Sequence, residues 1–255
     1  MSMKYTVNIR SIEQLVDFKA ERVYLPLSEV LNNIYKVQHL VQSGINIVPE
    51  LPRICTDKST EFFVKNIEFL KNAGITSVLI NSIGYASSAG CFEIIGDYGL
   101  NAFNSSTLNV LYDLGIRTQT VSFELTLPQI RDLKGSCKKE LFIYGRLPLM
   151  CFENCLLTKT NCKNSGISFK KQIELTDNAG FTFPVLCDFN GECKNSLVNS
   201  KILWLADKLS DIKNIDFGRF YFTTETKEEC ADILKKYQNG EASDNITRGL
   251  YYKRK

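Results

Sequence analysis

The stretch INIVPELPRICTDKSTEFFVKNIEFLKNAGITSVLI, residues 45–80, decides the fold. It begins with a short β-branched run at 45–48 and ends with another at 77–80, and both runs predict strands. Between them, residues 60–72 carry apolar side chains at helical spacing, and Gly74 is a typical helix C-cap. A strand, a helix and a second strand in this order predict a parallel unit with a right-handed crossover.

The same alternation extends along the whole chain. Strands are predicted at 5–9, 22–25, 45–48, 77–80, 100–104, 118–122, 140–144 and 218–222. Helices are predicted at 12–18, 32–42, 60–72, 106–114, from 126, at 201–209 and at 227–237. Eight such units in 255 residues predict an α/β fold, a single (β/α)8 TIM-type barrel over residues 1–255 with a cysteine-rich insertion at 145–200 after the seventh strand. A doubly wound open sheet is the alternative, but no glycine-rich fingerprint follows the first strand.

Composition narrows the class of protein. Hydrophobic residues make up 44% of the chain and charged residues 23%, which is typical of a folded globular domain. The net charge of +3 is too small to indicate nucleic-acid binding by itself. No apolar run approaches the roughly 20 residues that span a bilayer, and the first ten residues lack the apolar core of a signal peptide. We therefore expect a cytoplasmic protein without a membrane span.

Polar residues follow several predicted strands, where the active sites of barrels lie. The candidates are Glu50, Arg53, Asn81, Ser82, Asn101, Asn104, Glu124, Arg146, Thr223, Thr224 and Glu225. The single histidine, His39, falls in a predicted helix, so Ser-His-Asp and Cys-His mechanisms are poorly supported and a His-x-x-x-His zinc site is excluded.

Each candidate has a chemical and a structural interpretation. Arg146 can anchor a carboxylate or phosphate with two hydrogen bonds, or it can pair with Glu124 or Glu50. Glu50 and Glu124 are candidate acid–base catalysts, or else structural partners of Arg53 and Arg146. Asn101 and Asn104 can orient a polar ligand or bond the backbone at a strand end.

Five of the nine cysteines are clustered, which in a reducing compartment is typical of a metal site. They are Cys151, Cys155, Cys162, Cys187 and Cys193. Four thiolates suit an iron–sulfur cluster, and zinc accepts the same ligands. Because no Cys-x-x-Cys motif is present, the spacing alone leaves open the alternative of buried apolar thiols.

The segment LFIYGRLPLM, residues 141–150, resembles the GRxPLM element of the collagenase-like peptidase U-32 family. Similar elements follow: Cys155 and Cys162, then LTDN at 175–178, FPV at 183–185, Cys193, and NS at 199–200. Upstream, VPELPR at 48–53, GLNAFNS at 99–105 and SFELT at 122–126 match the family, as does TRG at 247–249. The chain departs from the pattern at Asn178, where the family usually has arginine.

The resemblance implies a barrel that holds a 4Fe-4S cluster through four cysteines. Cys155, Cys162 and Cys193 are the implied ligands, with Cys187 as the fourth and Cys151 as its competitor. The candidate substrate-binding residues are the strand-end residues Arg53, Asn101 and Asn104, together with Asp177 in the LTDN element. Relatives take part in hydroxylation of RNA bases or the ubiquinone ring and work with prephenate or with a second protein of the same family. A peptidase and a non-enzymatic iron–sulfur or zinc scaffold are the alternatives.

Overall fold

A computed structural model describes residues 3–153, 173–189 and 192–252. Eight parallel strands form a barrel: β1 (Lys4–Asn8), β2 (Arg22–Pro26), β3 (Ile47–Glu50), β4 (Ser77–Ile80), β5 (Glu93–Gly96), β6 (Thr118–Thr120), β7 (Lys138–Gly145) and β13 (Phe217–Tyr221). Their order is β13-β1-β2-β3-β4-β5-β6-β7, and the pairing of β13 with β7 closes the ring. The predicted (β/α)8 TIM-type barrel is therefore confirmed.

Helices cover the outside of the ring between strands. They are α1 (Leu27–Asn32), α2 (Ile34–Gln42), α3 (Asp57–Asn72), α4 (Ser105–Asp113), α5 (Leu127–Asp132) and α6 (Lys227–Asn239). Short 3-10 helices stand at Ile12–Gln14, Ile83–Tyr85, Tyr98–Leu100 and Ala206–Asp211. None of the helices in the described part of the chain is long and apolar enough to cross a membrane.

The longest helix, α3, shows how the sequence builds this outer layer. Thr56 caps its first turn by accepting a hydrogen bond from the backbone N–H of Ser59, and Gly74 follows its end with a φ of +81°. Phe63 and Leu70, seven residues apart on one face, are fully buried against the barrel. Burying each such side chain stabilises the fold by about 1.5–3 kcal/mol.

The barrel interior is filled rather than open. Tyr24, Val48, Leu79 and Ile95, one residue from each of four consecutive strands, form a fully buried cluster separate from the main core. This arrangement is typical of barrels, in which layers of inward-pointing side chains occupy the centre.

A second sheet follows the seventh barrel strand. It contains β8 (Pro148–Phe152), β9 (Ile173–Thr176), β10 (Thr182–Phe189) and β11 (Cys193–Val198), all antiparallel, in the order β8-β11-β10-β9. Two further short strands, β12 (Ile202–Trp204) and β14 (Ile246–Thr247), extend the barrel sheet beside β7.

Three predicted elements differ from the structure. The fifth strand is Glu93–Gly96 and not 100–104, where a 3-10 turn instead ends at Asn101 in the left-handed conformation. The predicted helix at 201–209 is a strand followed by a 3-10 helix, because Ile202–Trp204 pairs with β7 and β14. The predicted helix after Ser11 is only one 3-10 turn, Ile12–Gln14.

Candidate functional site at the barrel mouth

A pocket lies at the carboxyl end of the barrel, between the strand ends and the second sheet. The barrel contributes polar and aromatic side chains to it: Arg10, Glu50, Arg53, Tyr98 and Tyr221. The second sheet contributes Cys151, Lys194 and Ser196, and Glu192 lies directly before its strand at 193–198. This is the end of the barrel where catalytic residues are normally found.

Glu50, the last residue of β3, carries a carboxylate that two neighbouring amides orient. The Nδ2 of Asn8 donates to Oε2 of Glu50 over 2.8 Å, and the Nδ2 of Asn81 donates to Oε1 over 3.4 Å. Both asparagines stand at strand ends and are almost fully buried. The two hydrogen bonds fix the position of this carboxylate at the pocket wall.

Arg53, three residues later, is exposed and lies over the ring of Tyr98. Its guanidinium carbon is 5.2 Å from the ring centroid. Burial raises the pKa of Tyr98 well above its usual value, and the cation of Arg53 opposes this increase only in part. Arg53 lines the pocket, and among the described residues no ion pair involves it.

Contacts at the rim hold the second sheet over the barrel mouth. Arg10, just after β1, donates to the carbonyl oxygen of Cys187 over 3.0 Å. Glu192 accepts a 2.6 Å hydrogen bond from the hydroxyl of Thr56, and the ammonium groups of Lys58 and Lys194 lie 3.7 and 3.6 Å from its carboxylate. The hydroxyl of Thr56, and then the two lysines, hold the pKa of Glu192 below its usual range against the effect of desolvation.

A buried charge network lies beneath the pocket. Arg219 is fully buried and donates to Glu140 over 2.7 Å, to Asp97 over 2.6 Å and to Thr120 over 2.8 Å. Desolvation would raise the pKa of Glu140, but Arg219 and neighbouring hydroxyls lower it overall. Burial by itself would lower the pKa of Arg219. The carboxylates of Asp97 and Glu140 outweigh this effect and raise the pKa well above its usual value.

The network reaches the pocket through one amide. The Nδ2 of Asn81 donates to Asp97 over 3.1 Å as well as to Glu50. A continuous chain of hydrogen bonds therefore links the buried guanidinium of Arg219 to the carboxylate at the pocket wall.

Two predicted catalytic residues lie outside the pocket. Arg146 donates to the backbone carbonyls of Asn199 and Ser200, which joins the end of β7 to the end of the second sheet. Glu124 is exposed in the turn after β6. Of the three predicted catalytic residues, the structure places only Glu50 on the pocket wall.

Three predicted substrate-binding residues have local backbone roles. Asn101 ends the 3-10 turn with a φ of +49°, and Asn104 caps α4 by accepting from the N–H of Thr107 over 2.9 Å. Asp177 closes the turn between β9 and β10, where its Oδ1 accepts from the N–H groups of Ala179 and Phe181. All three are exposed. Arg53 is the predicted substrate-binding residue that lines the pocket.

The cysteines fall on different parts of the second sheet. Cys155 and Cys162 lie outside the described residues. Cys187 on β10 pairs with Asn195 of β11, whereas Cys151 on β8 pairs with Ser196, the next residue of β11. Directly paired residues share a face and successive residues alternate, so Cys187 and Cys151 belong to opposite faces of the sheet.

Another predicted ligand, Cys193, begins β11 and pairs with Phe189 of β10 in the backbone register. Position 193 lies two residues before Asn195 on β11, so both positions belong to the same face of the strand. Asn195 is the residue that pairs with Cys187. Cys151 instead lines the barrel-mouth pocket with Lys194 and Ser196.

The structure adds pocket residues that the sequence analysis did not select. Asn8 and Arg10 stand at and just after the end of β1, so the same strand-end rule, applied to the first strand, would have selected both. Lys194 lies on β11 and Glu192 directly before it, and the sequence analysis did not predict the strands of this sheet. Tyr98 belongs to the 3-10 turn that replaces the predicted fifth strand.

The sequence profile of one protein family matches most of the chain. The sequence profile of Peptidase family U32 matches residues 28–217. The solved structure described as "The Structure of the U32 Peptidase Mk0906" resembles this chain with a TM-score of 0.47 at 8% identity, over 56% of this chain and 70% of that one. No curated protein matches the sequence. Because the profile extends from the first helix to the last barrel strand, three quarters of the chain, the protein belongs to peptidase family U32.

Proposed function

We propose that this chain is an iron–sulfur protein that binds a small carboxylate substrate at the barrel mouth and takes part in hydroxylation of RNA or of a small aromatic ring. The observation that carries the proposal is the mouth pocket, which joins the exposed guanidinium of Arg53, the oriented carboxylate of Glu50 and two tyrosine rings under a cysteine-bearing sheet. Concave sites with a few convergent polar groups among apolar walls are typical of small-molecule sites.

The cysteines of the second sheet suit the cluster that the resemblance implies. Cys155, Cys162, Cys187 and Cys193 would hold it, and the adjacent strands β10 and β11 supply the last two. Four thiolates are the usual ligand set of a 4Fe-4S cluster, with zinc as the alternative metal. A bound cluster supplies electron transfer, or Lewis acidity at an iron with an open position.

The residues of the chain itself would bind and orient the substrate. Arg53 would bind a carboxylate such as that of prephenate with two parallel hydrogen bonds. Glu50 would accept a proton or hold a polar group at a position fixed by Asn8 and Asn81. RNA and a second protein of the same family are the partners that the family resemblance suggests for this reaction.

Anaerobic purification with iron and sulfide analysis tests the cluster, and calorimetric titration with prephenate tests the pocket. About four irons and matching sulfide per chain, together with binding that Arg53→Gln abolishes, are the expected results. Zinc without sulfide would replace the redox proposal by a structural metal site in a scaffold protein. Absence of any metal from fresh anaerobic protein would overturn the proposal.

A peptidase is the second candidate because the thiol of Cys151 lies in the pocket near Lys194. A thiol that attacks a peptide bond acts as the thiolate and needs a base to take its proton. The single histidine, His39, is exposed on α2 and does not line the pocket, so the usual base for such a thiol is missing there. Peptide cleavage by metal-free protein that Cys151→Ser abolishes would favour this function over the first.

A further inference from the structure

A cleft at the amino-terminal end of the barrel, the end opposite the mouth pocket, carries an excess of positive charge. Its lining residues come from the end of α5, the start of β7 and the segment before β13, and they include Arg131, Asp132, Lys134, Lys139 and Asn214. We propose that this cleft binds a phosphate monoester, whose dianion Lys139 and Lys134 hold. None of these residues lines the mouth pocket, so this binding is independent of the proposed function.

Lys139 is a buried cation without an acidic partner. It precedes Glu140 on β7, and because Glu140 points into the barrel toward Arg219, Lys139 points outward. Lys139 is only 6% exposed. The other two buried cations among the described residues, Arg22 and Arg219, each pair with a carboxylate. In the part of the chain that the structure describes, the ammonium group of Lys139 has neither an ion pair nor a hydrogen bond.

The burial of this lysine calls for a counter-charge. Removing a charge from water costs free energy that a partner normally offsets, and lysines are rarely so buried without one. Lysines bury the carbon stem and keep the ammonium group accessible, so the ammonium is the part of Lys139 that reaches the cleft. The carboxylate of Asp216 accepts from the backbone N–H of Lys139 over 2.7 Å but forms no ion pair with its ammonium among the described residues. An anion in the cleft would supply the missing partner.

Two positive charges of the cleft are left without compensation. Arg131 donates to both oxygens of Asp132, over 2.8 and 3.0 Å, so these two charges offset each other. The hydrogen bonds from Arg131 lower the pKa of Asp132, and the charge of Lys134 adds to this effect, which indicates that Lys134 lies near the same carboxylate. Lys134 is exposed and forms no ion pair within the described ranges. Lys134 and Lys139 therefore present two ammonium groups to the cleft.

Hydrogen bonds hold the loop that carries Lys134 in place. Asn214, which has a φ of +63°, donates to the backbone oxygens of Arg131 over 3.0 Å and of Leu133 over 2.7 Å. The backbone N–H of Lys134 donates to the hydroxyl of Ser105 over 2.9 Å. The backbone of this loop is therefore fixed from both sides. A site ordered before binding costs less conformational entropy when the ligand arrives.

Two ammonium groups match a phosphate monoester better than they match other common anions. A monoester carries a charge of about −1.5 to −2 at pH 7 and has three strong acceptor oxygens. A carboxylate, or the phosphodiester of an RNA backbone, carries a single negative charge and would leave one ammonium group without a counter-charge. Lysine binds phosphate as a point charge, without the planar geometry that arginine requires. The ligand class is therefore a small phosphorylated molecule.

Calorimetric titration of the full chain, purified anaerobically and kept at low ionic strength, tests the proposal with matched probes. Methyl phosphate is a monoester dianion, dimethyl phosphate is a diester monoanion, and acetate is a small carboxylate. We expect methyl phosphate to bind at least about tenfold more tightly than either of the others, since the second ammonium contact is a charged hydrogen bond that only the dianion fully engages.

Three lysine variants assign the contacts. Lys139→Met is expected to weaken the binding of methyl phosphate about tenfold or more, and the exposed Lys134→Met to weaken it severalfold. Lys138→Met removes an exposed lysine of the same strand that does not line the cleft, and it should change the affinity by less than about twofold. Because Lys134 is exposed, its variant remains informative if Lys139→Met fails to fold.

Thermal unfolding gives a second measurement. Methionine retains the unbranched stem of Lys139 but removes the unpaired charge, so Lys139→Met should not lower the midpoint of unfolding in phosphate-free buffer. Added methyl phosphate should raise the midpoint of the wild type, because a ligand that binds only the folded state stabilises it. The same addition should not raise the midpoint of Lys139→Met.

Two results would overturn the proposal. Binding of methyl phosphate that both Lys139→Met and Lys134→Met leave unchanged would place the anion outside this cleft. Equal affinity for methyl phosphate and dimethyl phosphate, or tighter binding of a short oligouridylate without a terminal phosphate, would replace the monoester by the backbone of an RNA.

Discussion

Arg219 and Glu140 form an ion pair inside the barrel, with 2.7 Å between Nε and Oε1, and both side chains are fully buried. Arg219 also pairs with Asp97, and its guanidinium lies 4.3 Å from the ring centroid of Tyr24. The hydroxyl of Tyr24 in turn donates to Glu140 over 2.7 Å. These polar side chains in the centre of the barrel are therefore hydrogen-bonded to one another. Each of them needs the others, because their hydrogen bonds and charges offset the free-energy cost of removing it from water.

Removing the cation is predicted to destabilise the fold strongly. Arg219→Met leaves Glu140 and Asp97 buried without their ion pairs, and losing one partner of such a pair costs about 3–5 kcal/mol. Urea unfolding followed by circular dichroism measures the loss. Lys65→Met, which breaks an exposed pair with Glu61, is the control and should change stability by less than about 0.5 kcal/mol. A loss for Arg219→Met as small as that of the control would contradict the prediction.

The same network predicts a dependence of stability on pH. The pKa of Glu140 is lower in the folded protein than its usual value, so the unfolded chain binds this proton more strongly. The contribution of Glu140 is therefore complete above the unfolded pKa of about 4.3 and is lost as the pH falls through the folded pKa. Comparing the free energies of unfolding of wild type and Glu140→Gln at several pH values tests this. The difference in the free energy of unfolding between the two proteins should become smaller as the pH falls. A difference that does not change with pH would contradict the predicted contribution of the ionised Glu140.

Gly145, in the GRLPLM segment, is predicted to tolerate no side chain. Its φ is +125°, and a Cβ would lie 2.2 Å from the backbone oxygen of Tyr221. Gly145→Ala is expected to cost more than about 2 kcal/mol through strain and overpacking. Gly180 has a φ of +84°, but a Cβ there would meet open space, so Gly180→Ala should cost only about 1 kcal/mol. Thermal unfolding of both variants measures the difference, and equal losses would argue against the contact with Tyr221.

Glu192 is predicted to control how firmly the second sheet is held over the mouth. Glu192→Ala removes the contacts with Thr56 and Lys58, so amide hydrogens of β10 and β11 should exchange faster. Because the pKa of Glu192 is lowered by these contacts, the contacts also weaken as the pH falls through that pKa. Mass spectrometry of exchanged peptides measures the effect. Glu174→Ala, an exposed acid on β9 of the same sheet, should leave the exchange unchanged.

The sequence predicted the barrel because most strands carry β-branched residues and the helices between them carry a helical period. It misplaced the fifth strand because Leu100, Ala102 and Phe103 have the apolar content of a strand, whereas Asn101 adopts a left-handed turn. The true strand, Glu93–Gly96, has only four residues and gives a weak signal.

The candidate site was predictable only in part, since sequence fixes which residues follow a strand but not where their side chains point. Glu50 ends β3 and Arg53 follows that strand, and both line the pocket. Glu124 follows β6 and is exposed. The Arg219 network was missed because a charged residue in the middle of a strand shows no sign, in sequence, of the partners that other strands bring to it.

Because Cys187 and Cys151 belong to opposite faces of the second sheet, mutations can test which of them is the fourth ligand of the cluster. The strand register places position 187 on the same face of the sheet as position 193. Cys151 belongs to the opposite face and lines the mouth pocket together with Lys194. Cys187→Ser is therefore predicted to lower the iron and sulfide content of anaerobically purified protein, because a thiolate ligand is lost. Cys151→Ser is the matched control and should retain both. Retention in Cys187→Ser with loss in Cys151→Ser would assign the cluster to the face that covers the mouth pocket and bring it next to the proposed substrate site.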